Sequence, residues 1–404
     1  MFRIFIFSTF IGYALCNLNP YFNSFYGTSS PNRSELKGLI GIMVEFQEEI
    51  QDNPLTSGNG KFINELDIGF INNEDIDRCS KQLLDPPPHG YLYFASQLKA
   101  VKNYFYSISN GNIDLDVIMI DNVFHLSNDM ESYAYSEDHI SQLYVDAVTL
   151  ADNEISEVIP NEWDSDDFVI VVFHAGLGQD LGAELFDPTI YDIHSAFVDE
   201  LMLSSAGYPD GFPIGGNDEY TINNGILMPE TLNEIYFDVI EDLHPISFVN
   251  DADLENIYCN YQLGMTGLFA YFLGYRLGFP PMHSTDNIQP VTRIGKFGLM
   301  DYGAYNGRGI IPAPPVAWSR IFHQGINATT ENLTDNLFSE EPVDIVIPYT
   351  QGETIYQIDI ADDEYFLIEN RRNKIEDNLL LGYDNSYSID DIIYLLTCTP
   401  ADQD

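Results

Sequence analysis

The sequence predicts a protein of the α+β class, in which short buried strands and amphipathic helices alternate. Residues 39–46 (Leu-Ile-Gly-Ile-Met-Val-Glu-Phe) form an apolar run with β-branched side chains, which is typical of a buried strand. Residues 94–107 repeat apolar side chains at helical spacing and predict a helix. From about residue 341 short strand-like runs alternate with turns, so a β segment is expected at the C-terminal end.

The first residues predict a secretory signal peptide. Arg3 is followed by an apolar run over residues 4–15, which ends in the small-residue pattern of a cleavage site before Asn17. A membrane anchor is the weaker alternative, because about 12 apolar residues are fewer than the roughly 20 that span a bilayer. A lipid anchor on Cys16 is a further alternative, although Leu15 is bulky for the position before it. We expect a secreted or cell-surface protein.

Length and composition indicate a folded chain with a large core. It has 404 residues, of which 45% are hydrophobic. We expect a signal peptide at 1–16, a main domain at 17–340 and a C-terminal β segment at 341–404 that packs on or continues this domain. No later stretch has the length of a transmembrane helix, so none is expected in the mature chain. Glycosylation sequons, relevant only in a host that glycosylates exported proteins, begin at Asn32, Asn327 and Asn332.

The charge balance restricts the class of partner. The chain carries 63 acidic and only 16 basic residues, a formal net charge of −47. Such a field repels nucleic acid and anionic membranes and attracts cations. We therefore expect no nucleic-acid partner. The acidic surface either binds Ca²⁺ or is a solvated surface that keeps an exported protein soluble.

The next elements follow in chain order. The Asn-Gly-Asn turn at 110–112 leads into alternating strand residues over 113–119. Residues 140–151 predict a second helix, and the apolar run 169–173 predicts a buried strand. His-Ala-Gly-Leu-Gly-Gln at 174–179 follows that strand directly.

Two more helices are predicted in the second half of the chain. The first covers about residues 229–243 and the second, the motif helix, about residues 254–277. Gly278 and Pro280 follow the motif helix, as expected where a helix stops.

The motif helix has the pattern of a zinc-peptidase helix with its zinc ligands replaced. A zincin places two His at i and i+4, with a Glu after the first, which gives H-E-x-x-H. These positions hold Tyr271, Phe272 and Tyr275, whereas Gly274 and the Leu-Gly-Phe-Pro of 277–280 are kept. The pattern resembles the secreted zinc metallopeptidases related to immune inhibitor A, in which Phe-Ala-His-Glu-Phe-Gly-His-x-Leu-Gly-Leu-Pro-Asp is typical.

Further segments resemble the same family in the same order, and the resemblance spans about residues 38–382. They are a helix and hairpin at 101–115, the His-Ala-Gly loop at 174–179, Gly-x-Phe-x-Leu-Met at 295–300, Pro-Ala-x-Pro-x-Ala-Trp at 312–318, and Glu-Tyr-Phe-Leu-Ile-Glu-Asn-Arg at 364–371. The resemblance implies a zincin-like fold with a mixed sheet and a long motif helix. It also implies that Met300 lies on the turn beneath the former metal site.

The substitutions imply that zinc chemistry has been lost. A phenol has a pKa near 10 and binds metal well only after losing its proton, whereas imidazole is neutral at pH 7. Phe272 cannot act as a general base, and Pro281 replaces the Asp that the family places after Leu-Pro. We expect no catalytic residue and no zinc. The aromatic side chains at 271, 272 and 275 are expected to fill the former metal cavity.

Two metal alternatives stay open. A substitute transition-metal site would draw on two or three of His174, His194, His283 and Asp286. A calcium site would use the cluster of Asp164, Asp166 and Asp167, which otherwise forms an exposed acidic turn.

The main functional hypothesis is a pseudopeptidase that binds extended polypeptide or a partner protein without cleaving it. The enzyme alternative is an active secreted zinc metalloendopeptidase that hydrolyses proteins through non-standard ligands. A third alternative is a structural surface protein that has lost the binding cleft as well. Bound zinc would distinguish the enzyme from the other two, and peptide binding would distinguish the pseudopeptidase from the structural protein.

Overall fold

The computed structural model describes residues 36–51, 53–64, 84–180, 189–216, 218–232, 234–237, 258–261, 263–283, 292–322, 329–334, 354–361 and 364–370. The expected signal peptide, Asp286 and the sequons at Asn32 and Asn327 lie outside these residues. The chain divides into two compact units. The first consists of Met1–Leu98, Asp116–Met265 and Ser284–Val291, and the second of Lys99–Leu115, Thr266–His283 and Thr292–Asp404.

The first unit is built on a mixed five-stranded sheet with the order β2-β1-β3-β7-β4. Its strands are β1 (Gly38–Glu45), β2 (Asp116–His125), β3 (Phe168–Leu177), β4 (Ala196–Val198) and β7 (Gly225–Thr231). Four of them are parallel, and only β4, at the end of the order, runs antiparallel to its neighbour. The mixed sheet fits the predicted α+β class.

The central strands are buried on both faces. Every residue of β1 and β3 is buried, as expected for apolar runs in the middle of a parallel sheet. The strands predicted at 39–46 and 169–173 are confirmed, and β3 extends to Leu177. Helix α3 (Glu137–Val158) contains the helix predicted at 140–151 and packs on β1, β2 and β3.

Helix α1 (Tyr91–Ile108) confirms the helix predicted at 94–107. Asn110 and Gly111 adopt positive φ and end it, with the Gly111 N–H donating to the Tyr106 carbonyl at 2.8 Å. The expected hairpin is wrong, because β2 pairs in parallel with β1. The segment is a helical crossover between parallel strands.

Two predicted helices differ from the structure. Residue 229 lies in β7, paired with β3, so the helix predicted at 229–243 is wrong where the chain is described. Its residues 234–237 form β8 (Glu234–Phe237), which pairs with β9 (Tyr258–Tyr261). The motif helix therefore starts after β9 and covers only Met265–Arg276. In both segments strand pairing outweighed the local helical spacing.

The remaining elements are short. They are α2 (Glu131–Ala134), α4 (Glu200–Ser205), β5 (Phe212–Ile214), β6 (Tyr220–Ile222), α5 (Met265–Arg276), α6 (Ala317–Phe322), β10 (Thr329–Asn332), β11 (Thr354–Ala361) and β12 (Glu364–Ile368). In the second unit, β10, β11 and β12 form a sheet in that order, and β10 begins before the expected boundary at 341. No helix in the described ranges is long and apolar enough to cross a membrane.

Candidate functional site

Helix α5 is a buried helix in the second unit. All residues from 263 to 275 are buried, so the helix shows no polar face. Gly278 adopts a φ of +85°, and the N–H groups of Gly278 and Phe279 donate to the Tyr275 and Gly274 carbonyls at 2.8 and 2.9 Å. A glycine in this conformation satisfies carbonyls at a helix end, which confirms the predicted stop.

The two ligand positions of the motif lie side by side on α5. The Tyr271 and Tyr275 hydroxyl oxygens are 2.6 Å apart, and the Tyr271 hydroxyl lies 2.8 Å from Nε2 of His283. The rings of Tyr275 and Phe272 both meet the Tyr271 ring edge-on, with centroids at 4.9 and 5.6 Å. We call these four residues the Tyr271 cluster. The three aromatic side chains are at most 5% exposed.

Tyr275, Tyr271 and His283 of the Tyr271 cluster form a chain of hydrogen bonds. Burial raises the pKa of Tyr271 well above its usual value, and the negative charge of Asp301 adds to the shift. The hydrogen bond from Tyr275 opposes the shift without cancelling it. When His283 carries its proton on Nδ1, Tyr271 donates to Nε2 and accepts from Tyr275. The hydrogen bonds therefore run from Tyr275 through Tyr271 to His283, and Tyr271 is a phenol, not a phenolate, at neutral pH.

A second face of α5 packs on the segment 298–309. A Cβ on Gly274 would lie 2.7 Å from Met300 Sδ, and one on Gly267 would lie 1.8 Å from the Ala304 carbonyl oxygen. The Gly267 N–H donates to the Gly309 carbonyl at 2.7 Å. The two glycines are seven residues apart, so they share one face of the helix. Met300 thus lies directly against the motif helix.

Asp301 organises the loop before it. Its Oδ2 accepts hydrogen bonds from Thr292 Oγ1 and from three backbone N–H groups, those of residues 293, 294 and 295, at 2.8–3.0 Å. Its Oδ1 accepts from the Tyr302 N–H at 2.8 Å. Asp301 is only 3% exposed. Sequence reasoning placed Met300 at this turn but missed the role of Asp301.

Pro281 follows the end of α5 and is half-buried. The next residue, Met282, donates its N–H to the Met300 carbonyl at 2.8 Å. The chain therefore passes from Pro281 to His283 along the Met300 turn. His283 also forms an isolated antiparallel bridge with Thr292, the residue that contributes a donor to Asp301.

His174 and His194 belong to the first unit. Each Nδ1 lies close to the carbonyl of the following residue, at 3.0 and 2.9 Å. Burial lowers the pKa of His174 to about 4 and also lowers that of His194, and the two rings influence each other. Both are neutral imidazoles near pH 7. Within the described ranges no group of three or more His, Cys, Asp or Glu residues is arranged to hold a metal ion.

In the acidic turn at 164–167, the Asp167 carboxylate forms hydrogen bonds to other residues of the same chain. The Asp167 carboxylate accepts hydrogen bonds from Lys37 Nζ and from the Asp164 N–H, both at 2.8 Å. Asp167 is 6% exposed, whereas Asp164 is exposed and Asp166 is half-buried. The contacts of Asp167 close the turn that precedes β3.

A buried contact between a histidine and a glutamate lies where β7 ends, at the carboxyl edge of the sheet. Glu230 is fully buried, and its Oε1 is 2.6 Å from Nδ1 of His89 and accepts from the Ile63 N–H at 2.6 Å. Its Oε2 accepts from the Gly176 N–H at 3.0 Å. Nε2 of His89 lies 3.0 Å from the Asp85 carbonyl, so both ring nitrogens face acceptor oxygens.

Glu45 ends β1, which lies on the other side of β3 from β7, in a similar way. Its Oε1 accepts from the Phe62 N–H at 3.2 Å, and its Oε2 lies 3.2 Å from Lys61 Nζ and 3.3 Å from Nδ1 of His125. The carboxyl edge of a parallel sheet is the usual place for ligands. Here Glu45 and Glu230 both bind backbone N–H groups at positions 62, 63 and 176, so they anchor loops. Sequence reasoning missed both, because their partners are far away along the chain.

Asp180 connects the loop after β3 to β4. Its carboxylate accepts from the Ser195 N–H at 2.9 Å and from the Ser195 hydroxyl at 3.0 Å. Burial raises the pKa of Asp180 to about 7. Ser195 directly precedes Ala196, the first residue of β4.

The side chains at positions 271, 272 and 275 form a hydrogen bond and aromatic packing contacts with each other. Position 272 carries a phenyl ring, so it has no proton acceptor, and the hydroxyls of Tyr271 and Tyr275 bond to each other. A comparison with protein-family models and with curated proteins found no match for this chain.

Proposed function

We propose that the protein is a secreted pseudopeptidase, a zincin-like homologue of the immune-inhibitor-A-like peptidases that binds extended polypeptide without hydrolysing it. The observation that carries the proposal is the hydrogen bond between Tyr271 and Tyr275 at the two metal-ligand positions. Two phenols that bond to each other stand where a zincin places two imidazoles.

The first step concerns hydrolysis. A zinc peptidase needs three ligands ready to bind and an adjacent base for the metal-bound water. Burial holds Tyr271 in its protonated form, which is a poor ligand. Phe272 has no lone pair to accept a proton from water. Ligation and base catalysis by this helix are therefore both lost.

The second step concerns the fold. The residues of the motif that persist are those with a packing role: Gly274 against Met300, and Gly278 at the end of α5. Together with the mixed sheet, they support a zincin-like architecture in which the helix is kept and the ligands are lost.

The third step concerns binding. β4 is the outermost described strand on its side of the five-stranded sheet. An edge strand is a template on which an extended peptide can add by main-chain hydrogen bonds. The contact between Asp180 and Ser195 fixes the chain at the start of β4. We propose that polypeptide pairs alongside Ala196–Val198.

The test of the first step is metal analysis of the purified protein with a casein hydrolysis assay, with and without chelator. We expect less than stoichiometric zinc and no chelator-sensitive cleavage. Stoichiometric zinc together with cleavage that a chelator abolishes would show an active metalloendopeptidase and overturn the proposal.

The test of the third step is fluorescence anisotropy with labelled, unfolded casein at physiological salt. Successive strand residues direct their N–H groups to opposite sides, so of Ala196→Pro and Phe197→Pro one removes an outward donor and the other removes a bond to β7. We expect the variant that retains its circular dichroism and melting temperature to lose casein binding. If both variants fold and bind like the parent chain, edge-strand addition is wrong.

A further inference from the structure

We infer that Asn332 is an acceptor site for N-linked glycan on the exported protein. The inference rests on the proposed export, since the sugar donor is met only in a secretory compartment. Asn332, Leu333 and Thr334 form the sequon. Asn32 and Asn327 begin the other two sequons and lie outside the described residues.

The sequon begins at an exposed residue on the outermost strand of the sheet as far as its strands are described. Asn332 is the last residue of β10, which is the first strand in the order β10-β11-β12, and it pairs with Gln357 of β11. The side chain of Asn332 is exposed, whereas Leu333 is only 9% exposed. Successive side chains of an extended chain point to opposite faces, so burial of the Leu333 side chain places the Asn332 amide on the outer surface.

The two recognition side chains of the sequon meet on one carboxylate. Asn332 Nδ2 donates to Asp359 Oδ2 at 2.6 Å, and Thr334 Oγ1 donates to the same oxygen at 3.2 Å. Thr334 Oγ1 also accepts from the Asp359 N–H at 2.8 Å. The Thr334 N–H donates to Asn332 Oδ1 at 2.9 Å. The carbonyl oxygen of the amide thus faces the chain, and the nitrogen is oriented by Asp359.

The bonding leaves room for the modification. The Asn332 amide nitrogen carries two hydrogens, and Asp359 Oδ2 uses one. In the transfer, this nitrogen forms a bond to C1 of the first sugar of a polyisoprenyl-pyrophosphate-linked oligosaccharide. The bond from C1 to the phosphate oxygen breaks, the lipid pyrophosphate leaves, and one amide proton is lost. One N–H is left on the nitrogen after the transfer, so a donor to Asp359 is kept in the product.

The position has a physical consequence for the sheet. A strand at the end of a sheet can template unwanted pairing with another chain. A bulky, solvated glycan on the last residue of β10 obstructs such pairing at that edge.

The test is expression of the full chain in a eukaryotic secretory host, once with its own N-terminus and once with an added efficient signal sequence. The exported chain is treated with an amidase that releases N-glycans and leaves Asp at the modified position. Peptide mass spectrometry then reads position 332 directly. We expect Asp at 332 after treatment and Asn in a bacterially produced control.

Matched variants identify the acceptor. We expect Asn332→Gln and Thr334→Ala to lose one glycan increment on a denaturing gel, and Thr334→Ser to retain it. An exported chain with unmodified Asn332 overturns the inference, whatever the variants do. If only the chain with the added signal is exported and position 332 is glycosylated, the acceptor site is supported and the export proposal fails separately.

Discussion

The Tyr271 hydroxyl oxygen lies 2.6 Å from the Tyr275 hydroxyl oxygen on the next turn of α5. The two side chains point to one place, as a histidine pair at i and i+4 would. Helix geometry therefore still brings the two positions together, and only the chemical character of the groups differs. Nε2 of His283 lies 2.8 Å from the same Tyr271 hydroxyl, so one imidazole nitrogen already lies beside the two hydroxyls.

We predict that Tyr271→His/Tyr275→His creates a zinc site. Imidazole is shorter than phenol, so the two rings would leave space for an ion that His283 also reaches, and three histidines can bind Zn²⁺. The double variant should retain about one equivalent of zinc after gel filtration. Tyr271→Phe/Tyr275→Phe is the control and should retain none. A zinc-free histidine variant with native circular dichroism would show that the three positions do not converge on one ion.

Gly274→Ala is predicted to destabilise the fold, although alanine is ordinarily the better helix former by about 1 kcal/mol. The added methyl would lie 2.7 Å from Met300 Sδ in a buried contact. Overpacking of this kind costs about 1–3 kcal/mol. Urea unfolding of Gly274→Ala, Met300→Ala and the double variant measures the coupling. Strictly additive effects would mean that Met300 is not the group that excludes the methyl.

Asp180 is predicted to make the protein less stable as pH rises. Its pKa is raised to about 7 in the folded chain, above the unfolded value of 3.8, so the folded state holds the proton more tightly. Stability from this group is therefore present below about pH 4 and lost as pH rises to about 7, by at most about 4 kcal/mol for roughly three pKa units. Asp180→Asn should flatten this part of the pH dependence of urea unfolding. Asp210→Asn, at an exposed carboxylate, should leave the slope as it is.

His174 is predicted to make the protein more stable as pH rises, the opposite of Asp180. Its folded pKa of about 4 lies below the unfolded value of 6.5, so the fold favours the neutral ring. Its contribution is fully present above about pH 6.5 and is lost as pH falls to about 4, by at most about 3 kcal/mol. His174→Gln should reduce the loss of stability on acidification. His139→Gln, at an exposed histidine, is the control, and equal effects of the two variants would contradict the assignment.

Glu230→Gln is predicted to destabilise the protein more than Glu45→Gln. Glu230 and His89 are 1% and 2% exposed at their side chains, and removing one partner of a buried pair typically costs about 3–5 kcal/mol. The Glu45 partners Lys61 and His125 are 28% and 64% exposed, so solvent screens their loss. Denaturation midpoints of the two variants at neutral pH give the comparison. A Glu45 variant as unstable as the Glu230 variant would contradict the ranking.

Local sequence patterns were sufficient to predict the elements whose structure follows from neighbouring residues. β1 and β3 are continuous apolar runs, α1 has helical spacing, and Gly278 ends α5, so each was predicted from neighbouring residues alone. The helix predicted at 229–243 was wrong where the chain is described, because the end of β7 pairs with β3 and β8 pairs with β9, and the linear sequence shows neither pairing.

The candidate site shows the same limit. The i, i+4 relation of Tyr271 and Tyr275 was predictable from helix geometry, whereas the contact of His283 depends on how the chain turns after α5. The contact of His89 with Glu230 joins residues 141 positions apart. No periodicity or short motif in the sequence predicts a contact between residues so far apart.

The loop around Asp301 has a consequence beyond its shape. Backbone N–H groups of residues 293–295 converge on one carboxylate oxygen, as they would around a bound anion. The Asp301 carboxylate thus occupies the place that an anion would take, and because it belongs to the same chain its effective concentration there is high. It fills this place without having to be attracted from solution by a chain whose formal net charge is −47.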